Sequence, residues 1–287
     1  MTTTFVARLP QAEAEALSAA IDPMLEELGI AHTLHEVGGG WEVAVYVELD
    51  AVDAVETALR RVAPAGAFGR GELPDEDWVT LSLRALAPVR AGGFVVHGSH
   101  DPDARRPGET AILVDANRAF GTGHHGTTAG CLDAIDRHLK RSRPMRVLDL
   151  GTGTGVLAIA LAKRLRRPVL ATDIDPVAVA IARANARGNG VGALVRVVTA
   201  TGTSHPAIRT GAPFDLIVAN ILAGPLRAMA PGIVRVLAPG GTIVLSGLLE
   251  RQRASVVAAY AAQDVALRDT IGREGWATLT LRRERRL

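Results

Sequence analysis

The rhythm of apolar and polar positions changes character once along the chain, near residue 105. Before residue 66 the predicted elements are short and mixed. TFVARL alternates like a strand, and QAEAEALSAAI follows with Leu17 and Ile21 one helical turn apart. Asp22-Pro23 reads as an N-cap followed by a first-turn proline, which predicts a second short helix over MLEELG. HTLHEV and WEVAVYVE flank Gly38-Gly39-Gly40, the pattern of a hairpin with Val43, Val45 and Val47 on one face. AVDAVETALRRVA places Val52, Val55, Leu59 and Val62 at helical spacing. The β-α-β-β-α order predicts a small α+β domain over residues 1–65, a ferredoxin-like split β-α-β sandwich whose last strand the pattern does not fix. Residues 66–104 read as an interdomain linker. AGAFGRGELPDE is loop-like, DWVTLSLRALAPVR is helical up to Pro88, FVVHG is a short strand and HDPDARRPGE a charged turn.

From residue 105 to 287 the pattern is α/β alternation. MRVLDL, PVLATDI, ALVRVV, FDLIVAN and TIVLSG read as apolar strands, and VLAIALAKRL, PVAVAIARANAR and ERQRASVVAAYAA as helices between them. PLRAMAPGIVRVL is helical with a break at Pro231-Gly232, and LAPGG (237–241) reads as a turn before the fifth strand. Apolar strands linked by helices predict a mostly parallel, doubly wound sheet. VALRDTIGREG and WATLTLRR have no helix between them and predict an antiparallel hairpin at its edge.

Composition narrows the class. Of 287 residues 48% are apolar but only 3% aromatic, so the core must be built from Ala, Val, Leu and Ile. The net charge is +2, and Lys140 and Lys163 are the only lysines among 32 basic residues. A nucleic-acid binder would call for clustered basic charge instead. Cys131 is the single cysteine, which excludes an intramolecular disulfide and a Cys-built zinc site and suits a reducing compartment. The N-terminus lacks a basic stretch followed by an apolar one, and no apolar run approaches the ~20 residues of a membrane span. A cytoplasmic protein without a membrane partner is expected.

Four segments carry candidate chemistry. VLDLGTGTG ends a strand in Asp149 and starts a helix after Gly151, Gly153 and Gly155. Such a loop lets a ligand approach backbone N–H groups at a helix start, and it equally suits a tight strand-to-helix turn. Val156 stands where the dinucleotide fingerprint has its third glycine. Asp173, 22 residues after Gly151, ends the second strand, where a carboxylate accepts from both ribose hydroxyls. Asp175 competes for that role, but Asp175-Pro176 reads as a helix cap. Asn220, in ANILAG at the end of the fourth strand, could orient a polar reacting group or form a turn before Gly224-Pro225. The fourth segment, AFGTGHHGTTAG (119–130), precedes the first strand of the α/β part. Its His124 and His125, with His97 and His100, raise the question of a metal. Adjacent histidines point apart and no cysteine assists, so no metal is expected.

Jointly, the glycine loop, Asp173, Asn220, LAPGG and the closing strand pair resemble the seven-stranded methyltransferases that use S-adenosyl-L-methionine. AFGTGHHGTT before the first strand, ANILAGPL, SGLL (246–249) and DEDWV (75–79) narrow the resemblance to the methyltransferases of ribosomal protein L11. The resemblance implies a Rossmann-like methyltransferase domain behind a small N-terminal substrate-recognition domain. It implies a large-subunit ribosomal protein as partner, methylated on lysine side chains and the N-terminal amine, with no sequence-specific nucleic-acid contact. Cofactor binding would fall to Phe120, Gly121, Thr122, Gly123, Thr127, Thr128, Asp149, Gly151, Gly153, Asp173 and Asn220. Asn220, Ile221 and Leu222 would orient the amine, with His125 as a further catalytic candidate. Gly126 departs from the family, many members of which carry proline there, and a more mobile loop is expected.

Overall fold

The computed structural model of the chain describes residues 2–27, 30, 32–37, 40–48, 51–63, 67–72, 88–99, 101, 105–114 and 125–284. Two compact units divide it, Met1–Ala85 and Leu86–Leu287.

The first unit runs β1 (Thr2–Leu9), α1 (Gln11–Glu27), β2 (His32–Val37), β3 (Gly40–Glu48), α2 (Val52–Val62) and β4 (Gly69–Glu72). Its sheet has the order β2-β3-β1-β4 with every pair antiparallel, the ferredoxin-like arrangement. Phe5, Val43, Val45 and Val47 bury one sheet face against Ile21 and Leu25 of α1 and Val55 and Leu59 of α2. Three expectations change. The helix predicted to restart at Pro23 is one continuous helix. A mid-helix proline costs about 3 kcal/mol, but Ala14, Ile21 and Leu25 lie on one buried stripe that spans it, and burying two such large side chains offsets that cost. Val62, read as part of the buried face of α2, is 40% exposed. The last strand is β4, inside a segment that reads as loop. GRGE has no apolar alternation, and only pairing of its backbone with Thr3–Val6 of β1 makes it a strand.

The second unit opens with a three-stranded sheet, β5 (Val89–Ala91), β6 (Phe94–His97) and β7 (Thr110–Leu113), in that order. Of these, only β6 was legible in the pattern. Helix α3 (His125–Leu139) follows, and then β8 (Val147–Leu150), α4 (Val156–Leu165), β9 (Val169–Asp173), α5 (Pro176–Gly188) and β10 (Val195–Thr199). The chain continues through α6 (Pro206–Gly211), β11 (Phe214–Asn220), α7 (Ala223–Ala228), α8 (Ala230–Val236), β12 (Leu237–Leu249) and α9 (Arg253–Ala261). It ends with β13 (Val265–Arg273) and β14 (Trp276–Arg283). The seven-stranded sheet has the order β10-β9-β8-β11-β12-β14-β13. Its first five strands are parallel, and β14 lies antiparallel between β12 and β13.

Alternation along each strand feeds two cores. Val147, Leu216 and Val218 face α3, α4 and α5, whereas Leu148, Ile217 and Ala219 face α6 to α9. Both faces are covered, as a parallel sheet requires. The break in PLRAMAPGIVRVL falls at Met229, which ends α7 and starts α8, so that Pro231 sits in a first turn. LAPGG, predicted as a turn, belongs to β12: Leu237 pairs with Phe214 before the register shifts to Leu216–Thr242. A neighbouring strand claims those backbone groups, which the local sequence could not show.

Close packing of α3 on β14 depends on Gly130. A Cβ there would lie 2.2 Å from Thr278 Oγ1 and 3.1 Å from Thr278 Cβ. Thr278 cannot swing away, because it is buried and its hydroxyl bonds Ser246 at 2.9 Å. Alanine gains about 1 kcal/mol over glycine in a helix, whereas overpacking costs about 1–3 kcal/mol. Gly130→Ala is therefore expected to lower stability by up to about 2 kcal/mol in urea unfolding, and a raised midpoint would contradict this packing.

Candidate functional site

Strand order reverses between β8 and β11, and a doubly wound sheet forms a crevice at the carboxyl ends of its strands at such a point. Gly151–Gly155 follow β8 directly. The N–H groups of Gly151 and Thr152 both donate to Thr172 O, at 2.8 and 2.9 Å, which fixes the loop to the end of β9. Gly151 (φ +72°) approaches the far wall so closely that a Cβ would fall 2.3 Å from Ile221 Cγ2. Gly153 (φ +55°) is different, since a Cβ there would meet nothing within 4 Å. The first glycine is needed for contact between elements, and the second leaves the loop open on its outer side.

Asp149 supports the loop from beneath. Its Oδ2 accepts from Thr152 Oγ1 at 2.6 Å and from the N–H of Ala158, in the first turn of α4, at 3.0 Å. That second bond satisfies a helix-start donor that has no partner inside the helix. The side chain is fully buried, and its Oδ1 has no hydrogen-bond partner among the described residues. Burial pushes its pKa up to about 7; the bonds from Thr152 and Ala158 oppose that rise and the nearby Asp173 carboxylate adds to it.

Asp173 closes the loop from the side. Its Oδ2 accepts from Gly153 N at 2.8 Å and its Oδ1 from Asp175 N at 3.1 Å. Each oxygen keeps a lone pair for hydroxyl donors. Asp175 is the N-cap of α5, bonding Val177 N at 2.7 Å with Pro176 behind it. Between the two carboxylates Ile174 is 67% exposed, an apolar surface next to a site for polar groups. Ile174 did not stand out in the sequence. Its signal was an apolar residue one place beyond the carboxylate that ends the strand.

The far wall is the end of β11 with the start of α3. Asn220 Nδ2 donates to Thr127 Oγ1 at 3.3 Å, which joins residues from opposite sides of β8 in the sequence. Thr127 and Thr128 are both buried in the first turn of α3. Ile221 N donates to Ser246 O at 3.1 Å, and a Cβ at Gly247 would lie 2.5 Å from Ile221 O. SGLL thus matters through its glycine, which lets β12 pass under residues 220–222. Leu222 is 61% exposed at the start of α7. Gly126 lies in the first helical turn rather than in a loop, and a Cβ there would sit 3.1 Å from Glu274 Oε2 and 3.2 Å from Arg273 O. Glycine at this place leaves room for the β13–β14 turn.

The structure therefore gathers Thr127, Thr128, Asp149, Gly151, Gly153, Asp173, Asn220 and Ile221 around one end of the sheet. His125 begins α3. Phe120, Gly121, Thr122, Gly123 and the DEDWV segment lie outside the described residues, as does most of DWVTLSLRALAPVR. Cys131 takes no part. Burial, with the Asp149 carboxylate nearby, pushes its thiol up to about 12, against a bond from Ser246. No group of three His, Cys, Asp or Glu that could hold a metal occurs among the described residues. No described helix is long and apolar enough to cross a membrane. The donor set fits S-adenosylmethionine: open backbone at Gly153, a carboxylate with spare acceptor capacity for ribose hydroxyls, and a helix start for an amino-acid carboxylate.

Comparison with known proteins agrees. Residues 17–284 match the family described as ribosomal protein L11 methyltransferase (PrmA). The chain is 50% identical over 275 residues to the ribosomal protein L11 methyltransferase of Brucella suis (strain ATCC 23445 / NCTC 10510), covering 95% of this chain and 96% of that one. The protein of the same name from Mesorhizobium japonicum is 50% identical over 277 residues, with 94% and 95% covered. Among solved structures, the ribosomal protein L11 methylase of Lactobacillus delbrueckii subsp. bulgaricus superposes with a TM-score of 0.61 at 28% identity, covering 69% of this chain and all of that one.

Asp149 gives stability a pH dependence of fixed sign. Its folded-state pKa is raised, so the native protein holds a proton that the unfolded chain releases between about pH 4 and 7. Its contribution is therefore most favourable below about pH 4, is lost as pH rises to 7 and is level above that. In Asp149→Asn the amide cannot titrate. The stability of the variant relative to the parent is expected to rise with pH across that window, by on the order of a few kcal/mol. Melting curves of both proteins from pH 4.5 to 8.5 test this, and a pH-independent difference would contradict the assignment.

Proposed function

Because the chain belongs to the ribosomal protein L11 methyltransferase family, we propose that it transfers methyl groups from S-adenosylmethionine to ribosomal protein L11, with amino groups as acceptors. The observation that carries this reading is the pairing of two half-sites at one end of the sheet. Gly151–Gly155 with Asp173 suit a nucleoside, and Thr127 with Asn220 suit the polar end of an amino acid.

Roles follow from the chemistry of each group. Asp173 accepts from ribose hydroxyls while Gly153 holds it in place, and as a carboxylate it repels a phosphorylated ribose. Ile174 offers its exposed side chain to the flat face of the base. Thr127, Thr128 and the N–H groups of the first turn of α3 take the methionine carboxylate. Phe120, Gly121, Thr122 and Gly123 join them on the family resemblance. Asp149 acts through the loop it supports, because its carboxylate is buried.

When bound, S-adenosylmethionine supplies a methyl group on a positively charged sulfur, which an amine can attack in line. The amine must first be neutral. A lysine near ~10.4 needs more help with this than an α-amine near ~8. An apolar wall disfavours the ammonium form, and Ile221 with the exposed Leu222 provides one. Asn220 gives its Nδ2 to Thr127, so its Oδ1 is the end left to accept from the amine and aim the lone pair. His125, at the start of α3, is a candidate to take the released proton. In this reading the first unit, which includes β4, is the substrate-recognition domain, and the second, which includes β5 and β6, is the catalytic domain. The ferredoxin-like sheet and separate core of the first unit support an independent docking role. The single cysteine favours a cytoplasmic setting.

Three measurements test the proposal. Incubation with ribosomal protein L11 and labelled cofactor should yield mass increments of whole methyl groups on amines, and their absence would refute it. Asp173→Ala should raise the dissociation constant for S-adenosylmethionine about 10- to 100-fold, the loss of about 1.5–3 kcal/mol of bonds to a charged group, with melting little changed. Unaltered affinity would show that another group holds the ribose. A chain beginning at Leu86 should bind the cofactor and no longer methylate L11; full activity without the first unit would refute the docking role.

A further inference from the structure

The C-terminal end of α5 carries polar contacts that the roles above do not use. Asn185 and Asn189 are four residues apart and so lie on one face of the helix. Asn185 Nδ2 donates to Thr154 O, inside the glycine loop, at 2.9 Å. Asn189 reaches a different element. Its Oδ1 accepts from Leu113 N at 2.9 Å and its Nδ2 donates to Leu113 O at 2.6 Å. This two-bond exchange is what a neighbouring strand would offer, and β7 is an edge strand with β6 on its other side. The same Nδ2 donates to Asn185 O at 2.9 Å. Lys163 of α4 completes the group, donating from Nζ to Asn189 Oδ1 at 2.8 Å and to Ala111 O at 2.6 Å. Partial burial holds this lysine below the ordinary range of its type.

We propose that Asn185 and Asn189 are positioning residues of the cofactor site, fixing the glycine loop and strand β7 to one helix. The inference rests on the reading of the site given above. The start of α5 is capped by Asp175, two residues after the ribose carboxylate Asp173. Its body holds Thr154 through Asn185, and its end holds Leu113, in the last described strand before α3 and its Thr127 and Thr128. One helix thus starts beside Asp173 and bonds both the glycine loop and strand β7. Edge protection alone would need only Asn189 and Lys163. The bond from Asn185 to Thr154 serves the loop. The Asn189 side chain also bonds the backbone carbonyl of Asn185, so the two anchors share one turn of the helix.

Calorimetric titration with S-adenosylmethionine and single-turnover methylation of L11 test this on the full chain. Asn185→Ala and Asn189→Ala should each raise the cofactor dissociation constant about fivefold to tenfold, the loss expected for one or two partly buried hydrogen bonds. The methylation rate at saturating cofactor should fall less than about twofold, since neither side chain acts on the amine. The double variant should be less than additive, the signature of coupled residues. Arg187→Ala, on an exposed position of the same helix, should leave affinity unchanged. If the alanine variants unfold, Asn185→Ser and Asn189→Asp carry the comparison. Asn189→Asp keeps the acceptor for Leu113 and Lys163 and loses only the donor, so its affinity should be intermediate. Lowered melting temperature with unchanged cofactor affinity, or strict additivity, overturns the proposal. A parent chain that fails to bind S-adenosylmethionine overturns the underlying reading as well, an outcome distinct from variants that bind as the parent does.

Discussion

The buried carboxylate of Asp149 joins three parts of the site that would otherwise be independent. It lies near the end of β8, holds the hydroxyl of Thr152 in the glycine loop and satisfies the N–H of Ala158 at the start of α4. Burying a carboxylate is expensive, and burial accordingly raises its pKa to about 7. In return the loop is fixed from beneath while its upper face stays free. Thr172 O adds two bonds from the side, so the loop is held by its neighbours and not by its own rigidity. A glycine loop offers backbone donors to a ligand only if something else prevents it from wandering, and here a carboxylate and a strand end do so.

The core makes this geometry possible through small side chains. With few aromatics the elements approach each other closely, and glycine or alanine stands wherever two backbones nearly touch. A Cβ at Gly155 would lie 3.2 Å from the Ala182 Cβ, which brings the start of α4 against α5. Gly130 does the same for α3 against β14, and Gly247 for β12 beneath Ile221. Close approach leaves little room for water, so polar groups caught between elements are bonded side chain to backbone. Arg183 bonds Val197 O on the edge strand β10 at 2.7 Å, as Asn189 bonds Leu113 on β7. Long polar side chains thus close sheet edges that would otherwise expose unpaired backbone.

Electrostatics at the site run toward negative charge. The Asp173 carboxylate adds to the cost of ionising Asp149, and Asp173 itself stays partly exposed and can meet donors. A ligand that bears positive charge on sulfur and on an amine suits such surroundings better than a dinucleotide with its anionic phosphates. The helix starts of α3 and α4 supply the compensating donors. The same crevice end thus offers acceptors for hydroxyls and donors for a carboxylate, on opposite walls.

The sequence by itself determined the α/β alternation, the positions of most strands and helices, and the family. Each of these rests on local periodicity or on residues near one another in the chain. It also marked Asp173, Asn220, Thr127 and the glycines, because a strand end followed by small or polar residues is a local signal. The tertiary structure alone decided how they meet. Asn220 touches Thr127 across 93 residues, and Ile221 fills the space that Gly151 leaves. It made GRGE and LAPGG parts of strands, because a backbone becomes a strand when a neighbour takes its hydrogen bonds, whatever its side chains. It carried α1 through Pro23, because a buried stripe outweighs one lost bond. It exposed Ile174 beside Asp173, and it drew Asn185 and Asn189 into contact with Thr154 and Leu113. Those contacts lie far apart in sequence, and the energy that selects them comes from burial and from satisfying backbone groups, neither of which a linear pattern records.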